Sequence, residues 1–251
     1  MVVEMTKRII NILWTGGLDS TCRIVELSRT PYIIQPFYLI DYSRRSTQNE
    51  IAAMDAIRKI ILNDKRTNSE LLPTKFVEIT DILPQPEISH SWRVINQKYG
   101  LGIQYDWLAR FASQYHLILE ICLEKAANGR ASNTISSECR LMLDDSTGIS
   151  EYFIDKDHSS YEATEVFGNF RFPLSIWNMT KLEEVEEIKR LGLSEIVGET
   201  WFCHRPVFGL PCGHCNPCRD VCEAGMDWRV PAIGYALGGL RQALSRIWRQ
   251  F

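Results

Sequence analysis

The sequence predicts an α/β protein: a Rossmann-like parallel sheet with flanking helices, followed by a small C-terminal zinc-binding subdomain. Three observations carry that expectation. The β-branched, apolar run KRIINILW at 7–14 ends in Gly-Gly and leads directly into a helical pattern. Strand and helix signals then alternate as β-α-β-α-β, the order that makes a parallel sheet with covering helices. Near the C-terminus, Cys203, Cys212, Cys215 and Cys218 crowd into C-x8-C-x2-C-x2-C.

Each element has its own signal. After the first strand, LDSTCRIVELSR (18–29) places Cys22 and Val25 at helical spacing. Ile33 to Ile40 reads as a second strand. Thr47 and Glu50 form a T-x-x-E capping-box pattern ahead of Ile51, Met54, Ile57 and Ile61, which share one helical face. KFVEI (75–79) is a third strand. From Gln104 to Ala127, Leu108, Phe111, Tyr115, Ile118 and Cys122 keep a helical period, with Asn128-Gly129 as the expected C-cap. EYFID (151–155) and NFRFPLSI (169–176) are strand candidates within a harder middle stretch. A second capping box, Thr180 and Glu183, opens a helix with Leu182, Val185, Ile188 and Leu191 inward. Its Glu183, Glu184, Glu186 and Glu187 are expected to form a solvated face. The segment after Pro231 is rich in Ala, Gly and Leu, then basic and amphipathic through Trp248 and Phe251, and is expected to pack on the domain. The division expected is 1–198, with an insert at about 129–172, and 199–251.

Bulk properties narrow the function classes. A chain of 251 residues, 45% hydrophobic and 24% charged, can bury a full core. The net charge of −3 gives no global attraction to nucleic acid or membrane. No apolar run approaches the roughly 20 residues that span a bilayer, and the N-terminus lacks a secretory cleavage pattern. A cytoplasmic location is expected, and clustered rather than evenly spread cysteines suit a metal site in a reducing compartment.

The stretch WTGGLDST (14–21) looks like a phosphate cradle. A strand, a glycine turn and a helix N-terminus direct backbone N–H groups and the helix dipole towards one point, where an anion binds. Gly16 and Gly17 permit close backbone approach. Thr15, Ser20 and Thr21 offer hydroxyls, and Trp14 and Leu18 flank the turn. The lysine of the ATPase P-loop, G-x-x-x-x-G-K-[ST], is missing. The four clustered cysteines describe a closed structural zinc site, with an iron–sulfur centre as the competing reading. His204 and His214 are not needed as ligands, and Cys222 reads as a buried thiol.

T-G-G-L-D-S-T resembles the S-G-G-x-D-[ST] pyrophosphate loop of N-type ATP pyrophosphatases, whose α/β fold belongs to the adenine-nucleotide α-hydrolase type. Together with the cysteine motif it resembles one family, the 7-cyano-7-deazaguanine synthases. LIDYSRRSTQNEIAAM (39–54) is similar to the family's F-D-Y-G-Q-R-H-x-x-E segment, with Asp41, Tyr42, Arg44 and Glu50 in step. FPLSIWNMTKLEEVEEIKRLG (172–192) resembles T-P-L-x-x-x-x-K-x-E, and ETWFC (199–203) resembles T-W-S-C. The resemblance covers about 9–62 and 172–226. The family's G-R-N element has no counterpart, and no glycine-ended fourth strand is legible.

The resemblance implies ATP-dependent adenylation of the carboxylate of 7-carboxy-7-deazaguanine, with AMP and pyrophosphate formed. An amine then attacks, giving an amide and, after a second activation, the nitrile. Asp19, Ser20 and Arg44 would act in catalysis. Trp14, Thr15, Gly16, Gly17, Leu18, Asp19, Ser20, Thr21, Asp41 and Tyr42 would bind nucleotide, with ATP as co-substrate, Mg²⁺, structural Zn²⁺ and a homodimer. The altered middle leaves room for a different acceptor, such as a protein amine in an antiviral system. Two other readings are a thiolating tRNA-modifying enzyme, which needs a reactive cysteine and a basic surface, and a non-catalytic nucleotide-binding scaffold.

Overall fold

The computed structural model describes residues 8–125 and 129–248. Its first half runs β1 (Ile9–Leu13), α1 (Leu18–Ser28), β2 (Ile33–Ile40), α2 (Thr47–Asn63), β3 (Glu70–Leu71), β4 (Lys75–Glu78), α3 (Pro86–Tyr99) and α4 (Gln104–Gln114). The chain continues through β5 (Leu119–Glu120), α5 (Arg130–Glu138), β6 (Arg140–Asp144), β7 (Glu151–Asp155), α6 (Tyr161–Phe167), β8 (Phe170–Pro173) and α7 (Leu174–Asn178). Then follow α8 (Lys181–Arg190), α9 (Ile196–Glu199), α10 (Asn216–Glu223) and α11 (Ala232–Trp248).

The strands form one sheet in the order β3-β2-β1-β5-β8-β7-β6, with β4 also pairing β2. From β3 to β8 the pairing is parallel, but β6, β7 and β8 pair antiparallel. The sheet is therefore mixed, which corrects the expectation of a purely parallel one. A short hairpin needs no crossover helix, so the β6–β7 insert extends the edge at low cost in chain. Arg8 and Arg171 clasp the buried Glu151 of β7 at 3.1 and 3.5 Å and tie this hairpin to the parallel part.

Apolar residues fill both faces. Ile10, Ile12, Ile24, Ile57 and Ile188 lie in one core, while Phe37, Phe111, Phe167, Phe170 and Phe172 lie in the other. Burying each such side chain contributes about 1.5–3 kcal/mol. A third cluster surrounds the cysteines. Trp201 and Phe202 pack against both it and the first core.

Three local readings change. The helical period expected across 104–127 stops at Gln114: His116 turns at φ 51°, and Leu119–Glu120 joins the sheet between β1 and β8. A buried strand of two residues has too few alternations to oppose a helical reading. Gly129 caps the start of α5 rather than a helix end, and Asn128 lies outside the described residues. Thr47 and Glu50 form no capping box; Thr47 Oγ1 donates to the carbonyls of Asp41 and Arg44. The box at Thr180 and Glu183 does form. Helix α11 packs on the cysteine loop through Gly238, where a Cβ would lie 2.0 Å from the carbonyl oxygen of Cys212. Its Ile233, Tyr235 and Leu240 remain exposed.

Candidate active site and candidate metal centre

Parallel strand β1 neighbours β2 on one side and β5 on the other, so the chain reverses its winding between β1 and β5. In open α/β sheets ligands bind outside the strand C-termini at such a point. The glycine loop leaves β1 there. Gly16 has φ +69°, and a Cβ would lie 3.0 Å from both Ala53 Cβ and the Glu50 carbonyl oxygen, so the loop rests on α2. Gly17 is the N-cap of α1 without any side-chain cap, leaving first-turn N–H groups for a ligand. The loop is also braced from the other end of the chain, because the Trp201 N–H donates to the Gly16 carbonyl at 2.8 Å.

A cavity of about 530 Å³ opens at this loop. Thr15, Gly17, Asp19, Ser20, Asp41, Arg44 and His204 contribute polar lining. Leu13, Trp14, Phe37, Tyr38, Trp107 and Ile121 contribute apolar and aromatic lining, the mixture expected of a small-molecule pocket. Burial first, and Arg44 next, hold His204 below the usual imidazole range.

Sequence-predicted residues divide clearly. Trp14, Thr15, Gly17, Asp19, Ser20, Asp41 and Arg44 line the cavity, whereas Gly16, Leu18, Thr21 and Tyr42 do not. Thr21 is fully buried and its hydroxyl accepts a 3.1 Å hydrogen bond from Trp14 Nε1. Tyr42 is 68% exposed and donates to Glu78 at 3.2 Å. Asp41 Oδ1 accepts from the N–H and hydroxyl of Ser43, shaping the turn that presents Arg44. The buried Glu50 fixes Arg44 at 2.9 Å and is itself held by the Tyr38 and Ser46 hydroxyls, both at 2.7 Å.

Lys181, at the start of α8, is the functional candidate that residue-by-residue reading passed over. Its Nζ lies 2.8 Å from Asp19 Oδ2, 3.0 Å from Glu124 Oε2 and 3.5 Å from Glu184 Oε2. Burial, the largest single influence, opposes its charge, but Asp19, Glu184 and Glu124 together outweigh it and hold Lys181 above the ordinary lysine range. The cation absent from the loop thus arrives from a segment 160 residues downstream. The lysine of the 172–192 segment was the available signal. Glu184 contradicts the expected solvated face: its side chain is 0% exposed, and neither oxygen has a well-formed hydrogen bond. Burial, then the nearby Asp19 charge, push its carboxyl up to about 9.

Cys122 also lines the cavity. Burial first and the Glu120 charge second push its thiol well above the ordinary value, which disfavours the thiolate that sulfur transfer requires.

The sulfurs of Cys203, Cys212, Cys215 and Cys218 all lie within 4.8 Å of one another. Three of the separations are 3.4, 3.8 and 4.0 Å. Tetrahedral Zn–S bonds of about 2.3 Å place sulfurs about 3.8 Å apart, so the donor set fits zinc. The Cys212 and His214 N–H groups point at the sulfurs of Cys203 and Cys212, at 3.2 and 3.5 Å, supporting negative charge there. His214 instead uses Nε2 with the Tyr235 carbonyl at 2.8 Å, and Cys222 is half-buried outside the cluster.

Fold and site define an α/β protein of Rossmann-like architecture with a C-terminal four-cysteine cluster capable of holding a metal. No protein-family model matches the chain, and no curated protein matches it. No described helix is long and apolar enough to cross a membrane.

Proposed function

We propose that the chain is an adenylating enzyme: it uses ATP to activate the carboxylate of 7-carboxy-7-deazaguanine, and an amine then displaces AMP. The observation that carries this reading is the uncapped N-terminus of α1, opening beside Asp19 and Lys181 into an aromatic-lined cavity. The resemblance in the loop, the 39–54 segment and the cysteine spacing supplies the substrate class.

In this reading the first-turn N–H groups and Ser20 bind the β,γ-pyrophosphate, and Lys181 moves from its carboxylates to the departing phosphates. Arg44, held by Glu50, sits over the α-phosphate, where negative charge grows as the substrate carboxylate attacks. Trp14, Phe37, Tyr38 and Trp107 exclude water and give a planar base flat surfaces to stack on. Asp19 and Glu124 are hard oxygen ligands suited to Mg²⁺, whose contribution is to neutralise charge on the nucleotide. Zinc at the four cysteines would be structural: Trp201, two residues before Cys203, holds the Gly16 carbonyl. A homodimer and a cytoplasmic location belong to the same proposal.

The amine is ammonia, leading to amide and nitrile, or that of a different acceptor, such as a protein amine. Purified protein with ATP, Mg²⁺ and 7-carboxy-7-deazaguanine, with and without ammonia, is expected to yield AMP and pyrophosphate. Nitrile by mass supports ordinary synthase chemistry, and a mass increase on a co-expressed protein supports conjugation. No AMP under any condition, from folded and metal-loaded protein, overturns both and leaves a nucleotide-binding scaffold.

A further inference from the structure

A second cavity of about 380 Å³ adjoins the first, and Arg44 and His204 line both. Besides these two, its charged and polar lining includes Arg45, Arg205, Arg241 and His214, and no carboxylate contributes to it among the described residues. Four arginines line one small space, and of these Arg44 is paired with Glu50 at 2.9 Å. The like charges repel, and they are held together by the fold rather than by mutual attraction. Three separate elements enforce the arrangement. The turn at Asp41 and Ser43 presents Arg44 and Arg45. The loop between Cys203 and Cys212 carries Arg205 and is closed by the Val207–Leu210 bridge. Arg241 of α11 donates to the Pro206 carbonyl at 3.1 Å, and the close seat of Gly238 on Cys212 fixes that helix.

We infer that this is a second anion site, which takes the phosphate of a small phosphorylated ligand, namely the amine acceptor of the activated carboxylate. Guanidiniums pair bidentately with phosphate oxygens, and a doubly charged group answers several arginines better than one carboxylate does. The cations converge on one cavity rather than forming the extended track that a polynucleotide backbone needs. Position supplies the role: Arg44 and His204 are the shared wall, so a ligand anchored by phosphate here reaches the neighbouring cavity with its other end. The assignment of the ligand as acceptor rests on the adenylation reading; the anion site does not.

The test uses metal-loaded full-length protein and two probes, inorganic pyrophosphate for the loop and inorganic phosphate for the second site. Calorimetric titration is expected to show phosphate still binding when pyrophosphate saturates the loop. Arg45→Glu and Arg205→Glu, both at exposed positions, should each weaken phosphate about tenfold or more while leaving pyrophosphate affinity unchanged. Phosphate displaced by a single equivalent of pyrophosphate, or unaffected by either substitution in a folded variant, overturns the second site. Binding of single-stranded RNA far tighter than phosphate, with a steep salt dependence lost in the same variants, overturns the small-ligand assignment. Intact phosphate binding without AMP formation sinks the adenylation reading alone.

Discussion

Two cations meet carboxyl groups at helix α1, the buried Arg23 on the helix and the half-buried Lys181 beside its first turn, and their surroundings differ in kind. Arg23 makes a bidentate pair with Glu120, both contacts at 2.8 Å, and a third bond to Glu26 at 3.1 Å. Burial works against its charge, yet Glu120 first and Glu26 next together offset this and raise its pKa. Lys181 touches three carboxyl groups at 2.8 to 3.5 Å, but its Nζ and both Glu184 oxygens lack well-formed hydrogen bonds. The first cation is a completed structural joint, buried where β5 meets α1. The second sits beside an open cavity, held by charge without the geometry that would anchor it. A flexible ammonium on a single stem can leave such a place; a forked guanidinium in a matched carboxylate cannot leave cheaply. This contrast is what assigns the Lys181 cluster, in the adenylation proposal, to the ligand.

The largest expected effect comes from breaking the completed joint. Arg23→Met leaves Glu120 buried without its partner and should cost about 3–5 kcal/mol, read as a fall in chemical-denaturation midpoint. Lys181→Met should do the opposite. Its melting temperature should stay near that of the unaltered chain, while AMP formation drops roughly a hundredfold or more and metal content is retained. Equal destabilisation by both substitutions, with pyrophosphate binding unmoved in Lys181→Met, would erase the distinction.

Glu184 sharpens it through pH. The carboxyl binds its proton more tightly in the folded chain than in the unfolded one. Its contribution to stability is therefore complete below the ordinary carboxylate range and fades as pH rises towards about 9. Glu184→Gln, which mimics the protonated form, should match the parent near about pH 5 and melt progressively higher than it towards about pH 8.5. Parallel melting curves across that range would show that the carboxyl is not held protonated. The smallest effect belongs to the cap that starts α8. Thr180→Ala should lower stability by about 1 kcal/mol, with a modest loss of pyrophosphate affinity because Lys181 follows in the first turn.

Much of this was legible in the sequence, and the failures have physical causes. The loop, the paired strands β1 and β2, the Thr180 box and the four cysteines are local patterns, set by residues within a few turns of each other. Strand β5 hid because Leu119–Glu120 is short and its neighbours Ile118, Ile121 and Cys122 happen to follow a helical rhythm. Glu184 was misread because four glutamates in a row of five look solvated whichever one points inward. The direction is chosen by the packing of α8 against α1. Thr21 looked like a phosphate ligand, and only the position of the Trp14 indole shows its hydroxyl already used.

By itself the sequence determined a strand–glycine–helix junction, a four-cysteine cluster and the order β1-α1-β2-α2-β4, with only the two-residue β3 unread. Those depend on backbone geometry and short spacings. The tertiary structure decided which distant charges meet: Lys181 with Asp19, Arg205 and Arg241 with Arg44, and the Trp201 N–H with the Gly16 carbonyl. Such pairs are separated by most of the chain. Their energies depend on burial and orientation, which no local pattern encodes.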